Sequence, residues 1–202
     1  MMRQILEPEQ SYTFSDYFRF NYTIKDILKE LGCNYKKEKL LLPTQEYDLN
    51  RVQKLQADIE FNLERVIVST EDAKKQIIIA PIFLELCRIL PIQLNIEYTI
   101  NVGKQLKGTV NYYIDAGKNF IVVEAKQVDL VRGFTQLAVE LIALDQWIDS
   151  ESSILYGAVT TGETWRFATY HRREKIITED LELYVVPKEL NQLLNILLGI
   201  LS

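Results

Sequence analysis

Histidine is almost missing from this chain: His171 is the only one in 202 residues. A histidine-based metal centre or a Ser-His-acid triad would depend on that single side chain, and no partner spacing around it supports either. Cysteine is nearly as scarce, and Cys33 and Cys87 lack the paired spacing of a metal or redox motif. Both thiols are expected as core fillers in a reducing cytoplasm, because the chain opens without a basic-then-apolar leader. Apolar runs are short. None reaches the ~18 residues of a membrane span, and the apolar stretch Leu190 to Leu201 has polar breaks and reads as a docked helix. Repeats, low-complexity tracts and long Pro/Gly/Ser linkers are missing too, which argues against solenoids and strings of domains. A formal net charge of −5 gives no global attraction to nucleic acid, so any such contact requires a local basic patch.

What is present is an ordinary globular mix, 48% hydrophobic and 25% charged, long enough to bury a substantial core in one domain. The expected organisation is a helical N-terminal region, residues 1–68, packed on an α/β core, residues 69–202, which closes with a helix. Residues 11–21 carry five aromatic rings. They suit either anchors for an N-terminal arm or a base-stacking platform. Thr23 caps a short helix with Ile24, Ile27, Leu28 and Leu31 on one face and Gly32 at its end. Asp48 to Val66 has helical spacing through Val52, Leu55, Ile59 and Leu63. Ser69 is a good cap for a helix running to about Leu90, with Glu71 and Asp72 in its dipole-favoured first turn and Pro81 as a kink.

Beyond that helix, Leu94 to Val102 alternates as a strand containing Glu97. The stretch Lys107 to Gln127 then reads as a hairpin: Thr109 to Ile114 and Phe120 to Ala125, joined by a turn bearing Gly117 and Asn119. Its second strand ends Glu124-Ala125-Lys126. With period-two alternation, the carboxylate and the ammonium share one face. That pair is either a strand-end ion pair entering solvent or a metal site, in which Glu124 holds a hard divalent cation and Lys126 orients the attacking water.

Val131 to Ile148 follows as a helix, with Gln136 and Glu140 one turn apart. Ile154 to Thr160 and Thr164 to Tyr170 form two further strands around Thr-Gly-x-x-Trp, residues 161–165. His171, Arg172, Arg173 and Lys175 make the strongest basic cluster. With Lys126 and Arg132 they offer a phosphate-facing side, unless they are a solvated hairpin tip. Leu181 to Val186 is expected as the last strand, and Pro187 then starts the closing helix. The wide apolar face of that helix either packs centrally or seals a homodimer.

The hairpin ending in Glu124-Ala125-Lys126, with a helix on either side and Gln136 in the second, resembles the PD-(D/E)XK, restriction-endonuclease-like nuclease superfamily. The Thr-Gly-x-x-Trp segment is similar to the one that follows the catalytic helix in the nuclease domain of type I restriction motor subunits. The resemblance covers about residues 69–170. It implies a mixed central sheet flanked by helices and a Mg²⁺- or Mn²⁺-dependent endonuclease acting on DNA in restriction or defence, alone or with a partner subunit. By that resemblance Glu124, Lys126, Asn111 and Gln136 are the catalytic set, and Glu124, Asn111 and Glu71 (or Glu85) hold the metal. Lys126, Arg132, Arg172, Arg173 and Lys175 are expected to contact nucleic acid.

The family's first-strand Asp corresponds here to Asn111. Asp115 is its rival, but four residues at ~3.3 Å each put it roughly 13 Å from the Asn111 position, too far to share one ion. An Asn offers a carbonyl oxygen without formal charge, which weakens attraction for a cation. The alternative expectation is therefore a silent nuclease fold that binds nucleic acid or protein.

Overall fold

The structure, a computed structural model, describes residues 4–117, 120–126 and 129–202. Its centre is an eight-stranded mixed sheet. The hairpin forms as β3 (Lys107–Asp115) and β4 (Phe120–Ala125), with β2 (Gln93–Asn101) antiparallel on the outer side of β3. Asn119 of the expected turn lies outside the described residues, as does Gln127. The chain leaves β4, crosses as α6 (Leu130–Trp147) and returns parallel to β4 as β5 (Ile154–Thr160), since parallel neighbours require a crossover. Next come β6 (Thr164–His171) and β7 (Ile176–Asp180), while β8 (Tyr184–Val185) pairs with the start of β6. The far edge is β1 (Asn34–Glu38), parallel to β7, giving the order β1-β7-β6-β5-β4-β3-β2. The chain is thus an α/β protein with a mixed sheet flanked by helices.

Two cores cover the two faces of the sheet. On one, α6 packs with α1 (Phe14–Arg19) and α2 (Ile24–Glu30) over Val122, Leu155 and Val159. On the other lie α3 (Leu49–Arg65), α4 (Glu71–Lys74), α5 (Ala80–Ile89) and α7 (Leu190–Leu201), over Val123, Ala158 and Phe167. A π-type turn, Lys75–Ile79, joins α4 to α5 just before Pro81. Proline has no N–H to donate to the preceding turn, and the wider turn is how the helix absorbs that loss without ending. The cap is Thr70, whose hydroxyl accepts from the Ala73 N–H, one residue beyond the expected Ser69.

Two expectations need correction. The N-terminal region is not wholly helical: its helices pack on the two faces of the sheet, and residues 34–38 form the edge strand β1. Asn-Tyr-Lys-Lys-Glu shows no apolar alternation because an edge strand has little to bury, and its charges discourage pairing with another chain. Leu181 to Val186 holds only the two-residue strand β8, the last long strand being Ile176–Asp180, and the closing helix starts at Leu190, three residues after Pro187. Leu181, Leu183 and Val185 are exposed, so that apolar run misleads.

The apolar face of α7 is used within the chain. Leu190, Leu193, Leu194, Leu197, Leu198 and Leu201 are all buried against α3, α5 and the sheet, each contributing roughly 1.5–3 kcal/mol. The reason to invoke a second copy over this face therefore disappears. One turn before the end of α7, Gly199 lies so close to the chain at Pro43 that an added Cβ would sit 2.5 Å from its carbonyl carbon and oxygen. Backbone cannot swing aside as a side-chain tip can. Gly199→Ala should therefore destabilise the fold by about 1–3 kcal/mol, read as a lower urea midpoint; an unchanged midpoint would show that the 40–45 segment is not clamped by α7.

Candidate functional site

The β3–β4 ladder runs from Asp115↔Phe120 to Tyr112↔Val123, and its continuation puts Asn111 opposite Glu124. Regular alternation fails at this point. Val110 and Tyr112, two residues apart, pack into cores on opposite faces, and on β2 the same switch separates Leu94 from Tyr98. The residues at the switch, Asn111 and Glu97, occupy opposed positions of one register. Glu97 takes a φ of 52°, a left-handed conformation rare outside glycine. Asn111 fills the gap in the ladder: its Oδ1 accepts from the Ala125 N–H at 2.9 Å, and its Nδ2 donates to Glu97 at 3.2 Å. Period-two reading cannot find this switch, because no residue type in the sequence announces it.

Glu124 points to the α6 face and is 1% exposed. Its Oε1 receives Gln136 Nε2 at 2.7 Å and Lys126 Nζ at 2.5 Å, and Gln136 Nε2 also reaches Glu140 Oε1 at 2.8 Å. Gln136 and Glu140 are one helical turn apart on α6, so one helix face supplies both. Gly133 on that helix admits Lys126: a Cβ there would sit 2.8 Å from the lysine Cγ and 2.9 Å from Val159. Phe18 of α1 covers the ammonium, with Nζ 4.9 Å from the ring centre.

The Thr-Gly-x-x-Trp segment holds the same strand end from the other side. The Thr160 carbonyl accepts from the Lys126 N–H at 2.7 Å, the Thr160 hydroxyl accepts from the Gly162 N–H, and Trp165 Nε1 donates to the Gly162 carbonyl. Gly162 sits at φ 88°, the left-handed region this turn requires. The two segments that carried the resemblance are therefore adjacent in space.

Burial pushes the Glu140 carboxyl well above its usual range, and the neighbouring Glu124 carboxylate pushes it further. Burial also raises Glu124, against the opposing pull of Lys126. Glu140 is 0% exposed, and two carboxylates in contact there cannot both be charged. Glu140 holds a proton and Glu124 is the anion that Lys126 balances.

The fit to a divalent cation is poor. Among the described residues no three Asp, Glu, His or Cys side chains converge on a point that would hold an ion. Both ends of the Asn111 amide are taken up inside the sheet. Glu71 is on the helix covering the opposite face, where Lys75 binds it at 3.1 Å and Glu97 at 3.3 Å. Glu85 is held by Tyr47, Arg51 and Arg88. Among the described residues Glu124 Oε2 is buried without a hydrogen-bond partner, as are Gln136 Oε1 and Glu140 Oε2 of the same cluster. Lysine ammonium groups stand where a metal's charge would be needed.

The expected basic side divides. Arg132, exposed at the start of α6, is at the Glu124 end of the sheet, with Asp129 at 3.5 Å. Arg172, Arg173 and Lys175 follow β6, and His171 pairs with Ile154 at the start of β5, whereas Ala125 pairs with Thr160 at its end. A seven-residue strand separates them, roughly 20 Å at ~3.3 Å per residue. Arg172 is also committed to Asp145 at 2.5 Å and to the carbonyls of Ser150 and Ser152. These residues and Lys126 form no common surface. The lone His171 lies 3.7 Å from Glu174.

Cys33 is buried and Cys87 half-buried, both free thiols. Among the described residues no helix is long and apolar enough to cross a membrane. No family model, no curated protein and no solved structure matches this chain.

A carboxyl whose pKa is raised by folding stabilises the fold below the usual carboxylate range, and that contribution is lost as pH climbs towards the raised value. Glu140 should therefore make stability fall by about 1.4 kcal/mol per pH unit above that range until it ionises. Glu140→Gln keeps a neutral hydrogen-bonding group there. Urea midpoints at pH 5 and pH 8 should converge in this variant and diverge in the native protein; parallel behaviour would mean that Glu140 is not the protonated partner.

Proposed function

We propose that the chain is a catalytically silent, nuclease-like module that binds the phosphate backbone of DNA through the Glu124–Lys126 end of the sheet. The observation that carries this reading is Asn111: the residue opposite Glu124 is a neutral amide used as a strand bridge, which leaves Glu124 as the pocket's one ionised carboxylate, with an ammonium already paired to it. Lys126 keeps 14% of its side chain in solvent and Arg132 is exposed nearby. These are the groups that would meet phosphate oxygens, with Gln136 and Glu140 fixing the carboxylate behind them. The silence comes from the missing charge. One carboxylate already answered by a lysine attracts a divalent cation weakly, and binding of DNA then needs no cation.

A second reading, Mg²⁺- or Mn²⁺-dependent cleavage of DNA as the resemblance implies, is favoured by one observation, the buried Glu124 Oε2 with no partner. Linear and supercoiled DNA incubated with the protein and either metal separates the two readings. The native chain should leave both intact and bind duplex DNA equally well in EDTA. Lys126→Gln, which retains a donor for Glu124, should lower the slope of log affinity against log salt by about 1. Asn111→Asp should gain calorimetric affinity for Mn²⁺ where the native chain shows none. Native cleavage that disappears in Lys126→Gln would establish the second reading instead.

A further inference from the structure

A surface cleft of about 490 Å³ opens between the Phe20–Lys25 segment, β1, the start of α6 and β7. It lies at the Glu124 end of the sheet. Arg166 of β6 pairs with Val159 of β5, which pairs with Glu124, so all three project to the α6 face in one row. Arg166 then donates to Glu179 on β7 at 2.7 Å, and Lys37 on β1 completes the row at 2.9 Å. Beyond the apolar Val159, polar side chains thus carry the row on to the cleft.

The cleft combines two chemistries. Phe20 and Tyr22 meet edge to face with ring centres 6.0 Å apart, and Tyr22 is 39% exposed, leaving aromatic surface at the rim. Lys25, Lys37 and Arg132 bring positive charge. Glu179, the only acid in the lining, is buried and already answered by Lys37, Arg166 and a hydrogen bond from Tyr35. In a chain of net charge −5 the cleft is locally cationic. Its size suits one nucleotide. Aromatic rim and surrounding cations match a ligand with a flat ring and an attached phosphate.

We infer that this cleft is a nucleotide subsite, which stacks a base on Tyr22 and Phe20 and takes its phosphate on Arg132 and Lys25. The choice of nucleic acid as ligand rests on the proposed function, with which the subsite shares only Arg132. A strand reaching Lys126 with its backbone has its next base within reach of a surface built to hold it. The same chemistry fits a free nucleotide or one unit of a single strand.

Calorimetry on the full chain separates these, with thymidine monophosphate, an oligothymidylate and inorganic phosphate as probes. Tyr22→Ala should weaken the nucleotide or strand at least about fivefold, Tyr22→Phe should restore binding, and Lys126→Gln should leave the mononucleotide unaffected. A strand binding far tighter than the mononucleotide identifies a single-strand subsite, and equal binding identifies a free-nucleotide site. Three results would overturn the subsite: no binding of either nucleotide probe, inorganic phosphate binding equally well with Tyr22→Ala silent, or weakening by Lys126→Gln alone. Duplex binding that survives in EDTA while the subsite fails would leave the proposed function standing.

Discussion

A carboxylate enclosed between a sheet and a helix must find its counter-charge within a few ångströms or give up its charge. Glu124 meets this constraint with Lys126, two residues along the same strand, and with Gln136 from the helix above. The rest of the region follows from the requirement. α6 must pass close over the lysine stem, hence Gly133; the ammonium needs a lid that does not compete for its charge, hence the ring of Phe18. The turn at Thr160–Gly162 fixes the backbone from which the lysine departs. Glu140 enters as a proton carrier, because the pocket tolerates one negative charge and contains two carboxyls.

Asn111 explains why the pocket holds an ion pair rather than an open acidic site. Its side chain lies between strands, replacing a backbone hydrogen bond where β2 and β3 both change face. An amide suits that place because it donates to Glu97 and accepts from Ala125 at once. A carboxylate could only accept, and it would face Glu97 without a proton to share. The amide that leaves the site with less negative charge is thus also the group the local backbone uses.

Much of the architecture is legible in the sequence because it rests on strong periodic signals. The hairpin, the helix carrying Gln136 and Glu140, and the strands on either side of Thr161 and Gly162 all fall within a residue or two of their expected places, as does the end of the Leu-rich closing helix. The failures have a common physical origin. β1 is a strand because β7 offers it an edge, while its own residues carry no strand pattern. Leu181, Leu183 and Val185 carry an apolar pattern but stay exposed, and only Tyr184 between them enters the core. Of the site, the register of Asn111 opposite Glu124 is readable from spacing, whereas the nearness of the Thr-Gly-x-x-Trp turn follows from the β4–β5 pairing. The face switch at Glu97, the protonated Glu140 and the distance of Arg172, Arg173 and Lys175 from Lys126 come from pairing across strands remote in sequence.

The central claim is that Lys126, not a metal ion, balances Glu124. Crystals of the native chain soaked in Mn²⁺ and recorded at an anomalous wavelength test it most directly. The account predicts Lys126 Nζ against Glu124 Oε1 and no anomalous peak beside it. A peak joining Glu124 to Asn111, with the lysine displaced, would contradict it.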